Sequence, residues 1–165
     1  MKAKFRRYLP GCGLAVLVLL YGPQAQAVAT ITVTVAIYAP PPCVINNNGL
    51  IEVNFGNDVI TTHIDGSYKK QPVVYGVECK NAPRNAMKLQ IQGTGTSFAP
   101  DVLQTNKDGL GIALLRDESR QPLNSWVNFT YPKLPVLEAV LVKQAGVRLS
   151  GGAFSAGATM MVVYQ

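Results

Sequence analysis

Beyond residue 27 the chain is broken up by 12 glycines and 9 prolines, scattered rather than clustered. Few stretches longer than ten residues lack one. Both residues interrupt helices, so long helices have little room and many short strands fit easily. Period-two alternation supplies those strands. Ile51, Val53 and Phe55 alternate with Glu52 and Asn54, and Val73, Tyr75 and Val77 with Val74, Gly76 and Glu78. Met87, Leu89 and Ile91 alternate with Lys88, Gln90 and Gln92, and Ile112 and Leu114 with Gly111 and Ala113. Trp126 begins another such run. Residues 136–145 would tolerate a helix, but their valines and the flanking Pro135 and Gly146 favour a strand. Six or seven short strands with turn residues between them predict an all-β sandwich.

The first 27 residues have a different character. Lys2, Lys4, Arg6 and Arg7 precede an apolar run over 13–21, and Ala25-Gln26-Ala27 follows as a small-x-small cleavage pattern. This is the layout of a secretory leader, and the apolar run is too short to span a bilayer. Cys12 precedes the run, whereas a lipid-modified cysteine would follow it. The expected organisation is a signal peptide over 1–27, an N-terminal extension over 28–42 and a folded domain over 43–165. The formal charge of +6 comes from 15 Lys and Arg against 9 Asp and Glu. Without the four leader cations only +2 remains, so charge gives no argument for nucleic acid as a partner.

Two cysteines remain past the leader, Cys43 and Cys79. In an oxidising compartment such a pair reads as a disulfide, the alternative being two free thiols or metal ligands. A bridge would close a loop of about 37 residues and contribute roughly 4 kcal/mol on the chain-entropy account. The single histidine, His63, makes a metal site improbable and reads as a solvent-facing loop residue rather than a catalytic base. Asp117-Glu118 reads as solvated surface. Gly93-Thr94-Gly95-Thr96 lacks the lysine and helix that a phosphate loop needs. Asn128-Phe129-Thr130 matches a glycosylation acceptor, which matters only in a host that glycosylates. Trp126 and Tyr131 could stack on a sugar, with core or strand-surface roles favoured. No cofactor, no catalytic residue and no enzyme activity are expected.

Two segments are unusual for a closed sandwich. In residues 28–43, Ile31, Val33, Val35 and Ile37 fall on one strand face, with Thr30, Thr32, Thr34 and Ala36 on the other. Pro40, Pro41 and Pro42 then separate this segment from the domain, since proline cannot donate to a ladder. It is either the first strand of the sandwich or a projecting strand that completes another molecule. At the other end Ala156, Ala158, Met160, Val162 and Tyr164 alternate on one face, as an ordinary last strand would also do.

Taken in order, these pieces resemble the subunits of chaperone–usher pili, most closely the small minor subunits near the tip of P-type and type 1-like fimbriae. The resemblance covers nearly the whole chain. It rests on the leader, the alternating extension, Pro41-Pro42-Cys43-Val44-Ile45-Asn46-Asn47, Val53-Asn54-Phe55-Gly56 and Tyr75-Gly76-Val77-Glu78-Cys79. Gly111-Ile112-Ala113-Leu114 followed by Pro122-Leu123, then Gly151 with alternating apolar residues up to Tyr164, complete it.

The resemblance implies an incomplete immunoglobulin-like sandwich that lacks its last strand and carries an N-terminal donor-strand extension. Ile31, Val33, Val35 and Ile37 are then the donor side chains. Gly151, Ala156, Ala158, Met160, Val162, Tyr164 and Gln165 are the acceptor groove and chaperone-binding residues, Gly151 permitting close backbone approach near the strand's start. Cys43 and Cys79 tie the first strand to its neighbour. The implied partners are a periplasmic chaperone, an outer-membrane usher and neighbouring subunits (an adhesin or other pilins). The implied location is an extracellular fimbrium reached through the periplasm, and the implied role a structural adaptor in cell adhesion. The alternatives are an adhesin module that binds carbohydrate or protein, and a subunit that terminates the pilus. Family extensions often carry a glycine among the donor positions, and residues 28–42 have none.

Overall fold

The structure is a computed structural model that describes residues 43–165. Ten strands and two short 3-10 turns make up the regular structure among these residues. Three strands form one sheet: β4 (Ala86–Gln92) lies between β10 (Thr159–Tyr164) and β8 (Trp126–Thr130). The larger sheet runs β2 (Gln71–Pro72), β9 (Leu137–Lys143), β6 (Leu110–Arg116), β5 (Leu103–Gln104), and β7 (Ser119–Gln121) also pairs with β6. A small ladder joins β1 (Val44–Ile45) to β3 (Val77–Glu78). All these pairings are antiparallel.

The core lies between the two larger sheets. Met87, Leu89 and Ile91 point inward from β4 and are buried, as the alternation predicts. Leu89 and Ile91 meet Leu110 and Leu114 of β6 and Leu137, Ala139 and Leu141 of β9. The opposite face of β6 and β9 is covered as well: Ala113, Leu115 and Val140 cluster with Val102. Coverage on both faces explains why 110–115 and 137–142 read as nearly continuous apolar runs rather than as clean alternation. It also resolves the helix–strand ambiguity of 136–145 in favour of a strand.

Turn chemistry agrees with the sequence locally. Asp117 and Glu118 join β6 to β7, and both take positive φ (48° and 63°), as a two-residue type I′ hairpin turn requires. Asn46, Asn47 and Asn48 have φ of 46°, 51° and 62°, left-handed backbone that asparagine tolerates better than most residues. The Asn46 side-chain amide braces this turn by donating to the Leu50 carbonyl at 2.6 Å. There the chain leaves β1 and begins the run 51–55.

Two expected strands differ. Residues 51–55 alternate in burial as read, with Phe55 buried and Glu52 and Asn54 exposed, but have no ladder partner among the described residues. Residues 73–78 also alternate, yet only their ends pair. Val73 donates to Leu137 in the larger sheet, Val77 and Glu78 pair with β1, and residues 74–76 cross between.

Candidate functional site

The β1–β3 register places Cys43 opposite Cys79, and the two are bonded, with Cα atoms 4.3 Å apart. That spacing suits a non-hydrogen-bonded antiparallel pair, and the main-chain bond at Asn46 and Gly76 fits the same register. The bridge therefore pins the start of the domain to the strand beside it. The Tyr164 hydroxyl lies 3.6 Å from Cys43 Sγ, so the end of β10 reaches the same point.

Among the described residues, β10 pairs only with β4, and its outer edge has no strand partner. Met160, Val162 and Tyr164 stand opposite Ile91, Leu89 and Met87 and are half-buried. The run 51–55 is another extended segment with no ladder partner among the described residues. Phe55 belongs to the main core cluster, and Val53, Phe154, Met160 and Val162 pack half-buried against that cluster. One end of the space between these segments is marked by Cys43 and Tyr164. The other is marked by Phe55 and Phe154, whose ring centroids lie 5.9 Å apart. The result is a strip of partly covered apolar side chains between two backbone edges, those of 51–55 and of 159–163, that bear no strand partner among the described residues on this side. Such an edge can accept main-chain hydrogen bonds from an added strand.

The residues named for this surface are not all alike. Ala156 and Ala158 lie on an exposed run ahead of β10, not within it, so the strand starts three residues later than the alternation suggests. The backbone in that run is held elsewhere: the Ser155 amide donates to Asn106 Oδ1 at 2.9 Å, and the Asn106 amide to the Ser155 carbonyl at 3.0 Å. Gly151 is exposed. A Cβ there would meet nothing within 4 Å, and the positive φ (105°) falls on Gly152 instead. Gln165 is anchored. Its amide donates to Ala86, its side chain donates to the Met87 carbonyl at 2.8 Å, and Arg84 donates to its main-chain oxygen. Ile31, Val33, Val35 and Ile37 lie outside the described residues.

Phe154, Asn106, Lys107 and Arg84 were not singled out by sequence reasoning. Phe154 breaks the small-residue pattern around it and was the one visible signal. His63 is exposed on the turn Thr61–His63, its ring edge-on to Tyr68 at 5.6 Å. Trp126 is a strand-surface residue with Lys88 Nζ 5.1 Å from its ring centre.

A family model described as Fimbrial protein matches residues 29–165. The uncharacterized fimbrial-like protein YfcR of Escherichia coli (strain K12) is 38% identical over 136 residues, 79% of this chain and 78% of YfcR. YfcQ of the same strain, also described as fimbrial-like, is 38% identical over 135 residues, 78% of this chain and 83% of YfcQ. Among solved structures, the P pilus adaptor subunit PapF superposes with a TM-score of 0.59 at 26% identity, covering 77% of this chain and 98% of PapF. The P pilus rod subunit PapA shares the fold, with a TM-score of 0.56 at 21% identity over 85% of this chain and all of PapA (100%). An all-β sandwich in which the outer edge of β10 has no strand partner among the described residues, a pinned N-terminal entry and these relatives lead to one conclusion: the chain belongs to the fimbrial protein family, as a non-enzymatic structural subunit of an extracellular chaperone–usher pilus.

Proposed function

We propose that this subunit is a minor adaptor near the pilus tip and that it polymerises by donor-strand exchange. Residues 1–27 direct export to the periplasm, residues 28–42 are donated to a neighbour, and the domain from 43 onward accepts a strand from another chain. A periplasmic chaperone fills the groove first. At the outer-membrane usher, the extension of the next subunit replaces it. The observation that carries this reading is the outer edge of β10, unpaired among the described residues, with Met160 and Val162 half-covered beneath it.

The physics of such a joint is sound. Ladder bonds along β10 give general affinity, and alternate side chains entering the groove give selectivity. Four donor side chains of the Ile31, Val33, Val35, Ile37 kind, at roughly 1.5–3 kcal/mol each, contribute on the order of 6–12 kcal/mol before ordering costs. The adaptor assignment is supported by the likeness to PapF and by the alternating extension, which a subunit needs if it is to be joined at both ends.

The test is thermal. The oxidised mature chain is melted alone and with synthetic extension peptides of the subunits encoded beside it. A large rise in Tm with one of those peptides is expected. A chain that melts high by itself, with no response to any of them, would overturn the groove.

A further inference from the structure

We propose that the outer face of the three-stranded sheet carries a shallow site for an acidic sugar, a glycan residue that bears a carboxylate, with Trp126 as its stacking platform and Lys88 as its cation. The site goes beyond the donor-strand reading and does not depend on it. A strand added beside β10 extends the same sheet and leaves this face open.

Register fixes what stands there. Met87, Leu89 and Ile91 of β4 point into the core, so Lys88, Gln90 and Gln92 point outward. The pairing sets Trp126 beside Gln90 and Asn128 beside Lys88 on one flank, and Met161 beside Gln90 on the other. Trp126 is 42% exposed. The Lys88 ammonium lies 5.1 Å from its ring centre, a cation–π contact that orients the indole. Successive rows on one face of a strand lie about 7 Å apart, so the rows of Trp126 and Asn128 together span one sugar ring.

The floor beside the indole is held in place. Gln90 is buried, donates to the Asn124 carbonyl and accepts from the Gln92 side-chain amide at 2.9 Å. Asn124 is clamped in turn to Gly93, accepting from its amide at 3.2 Å and donating to its carbonyl at 3.1 Å. Side chains already ordered lose little freedom when a ligand arrives. Gln92 and Asn128 are exposed and carry amide groups that can pair with sugar hydroxyls.

Chemistry selects the occupant. The negative face of an indole attracts the C–H groups of a sugar ring, and a few placed amides fix its orientation. The strands β4, β8 and β10 contain no aspartate or glutamate, and Lys88 has no carboxylate partner among the described residues. A sugar carboxylate therefore meets an unopposed cation, and draws it off the ring face that the sugar then covers. A protein partner fits this face poorly. Its exposed large apolar side chains, Trp126 and Met161, are separated by Gln90, whereas the centre of a protein interface is continuous and depleted of lysine.

Trp126 is the sole tryptophan of the sequence, so its fluorescence reports this site alone. The oxidised mature chain is titrated with sialyllactose, with a hyaluronan tetrasaccharide and with lactose. A saturable change is expected with at least one of the two acidic sugars, at least tenfold tighter than with lactose. Lys88→Gln should abolish that preference while keeping the unfolding midpoint of wild type. Trp126→Ala, followed by saturation transfer from protein to sugar in NMR spectra, should lose the binding altogether. If Trp126→Ala fails to fold, the Lys88 variant decides. No response to either acidic sugar, or lactose binding as tightly as they do, overturns the site. So does a dimer in sedimentation that Trp126→Ala dissolves, which assigns the face to a second copy of the chain. Each of these results leaves the groove beside β10 standing.

Discussion

Tyr75 links one side chain to the pH dependence of the whole fold. Its hydroxyl donates to the Pro135 carbonyl at 2.7 Å, and burial pushes its pKa up from 10.0 to about 12. The neutral form is the one the fold prefers, so the contribution is complete below pH 10 and is lost as pH rises from 10 through 12. Tyr75→Phe should flatten the fall in stability across that window, measured by urea unfolding at pH 8 and pH 11. At pH 8 it should cost about 1 kcal/mol for the lost hydrogen bond. The disulfide is the other residue-scale lever. Cys43→Ser with Cys79→Ser should lower stability by about 2–5 kcal/mol, read as a drop in the urea midpoint. The pairing was legible because only two cysteines lie beyond residue 27. The link from Cys43 to Tyr164 was not, because it depends on where β10 ends in space.

At the scale of elements, the β6–β7 hairpin sets a non-glycine residue, Glu118, at φ 63°. Glycine takes such a backbone with no Cβ penalty, and Asp-Gly is a preferred pair for this turn. Glu118→Gly should therefore stabilise the protein by about 0.5–1 kcal/mol, seen as a rise in Tm. Strands that alternate and also bear a ladder, β4 above all, were readable from sequence alone. So was the inward face of β10, where Met160 and Val162 do line the core. Runs 51–55 and 73–76 were readable in burial but not in pairing, because alternation reports which side faces the core and says nothing about which edge finds a partner. The start of β10 was misplaced for a related reason. Ala156 and Ala158 keep the period of a strand, but at Ser155 the backbone bonds to Asn106, a competitor some fifty residues away in sequence (49) that no local pattern reveals.

For the molecule as a whole, the proposed division of labour between residues 28–42 and the rest of the chain makes a separable prediction. Deleting residues 28–38 should leave a chain that folds with its chaperone but fails to join the neighbour that would receive the arm. Co-purification from the periplasm and pilus assembly on cells measure the two steps, and loss of chaperone binding would contradict the division. The small ladder at the disulfide also bears on how such a fibre carries load. In a filament joined as proposed, tension along its axis enters the domain at Cys43, where a covalent cross-link passes it to Cys79 before it reaches the two-residue ladder of β1 and β3. A ladder of only two residue pairs is thus shielded from mechanical rupture. The pull is then delivered beside the end of β10, the strand that borders the proposed joint.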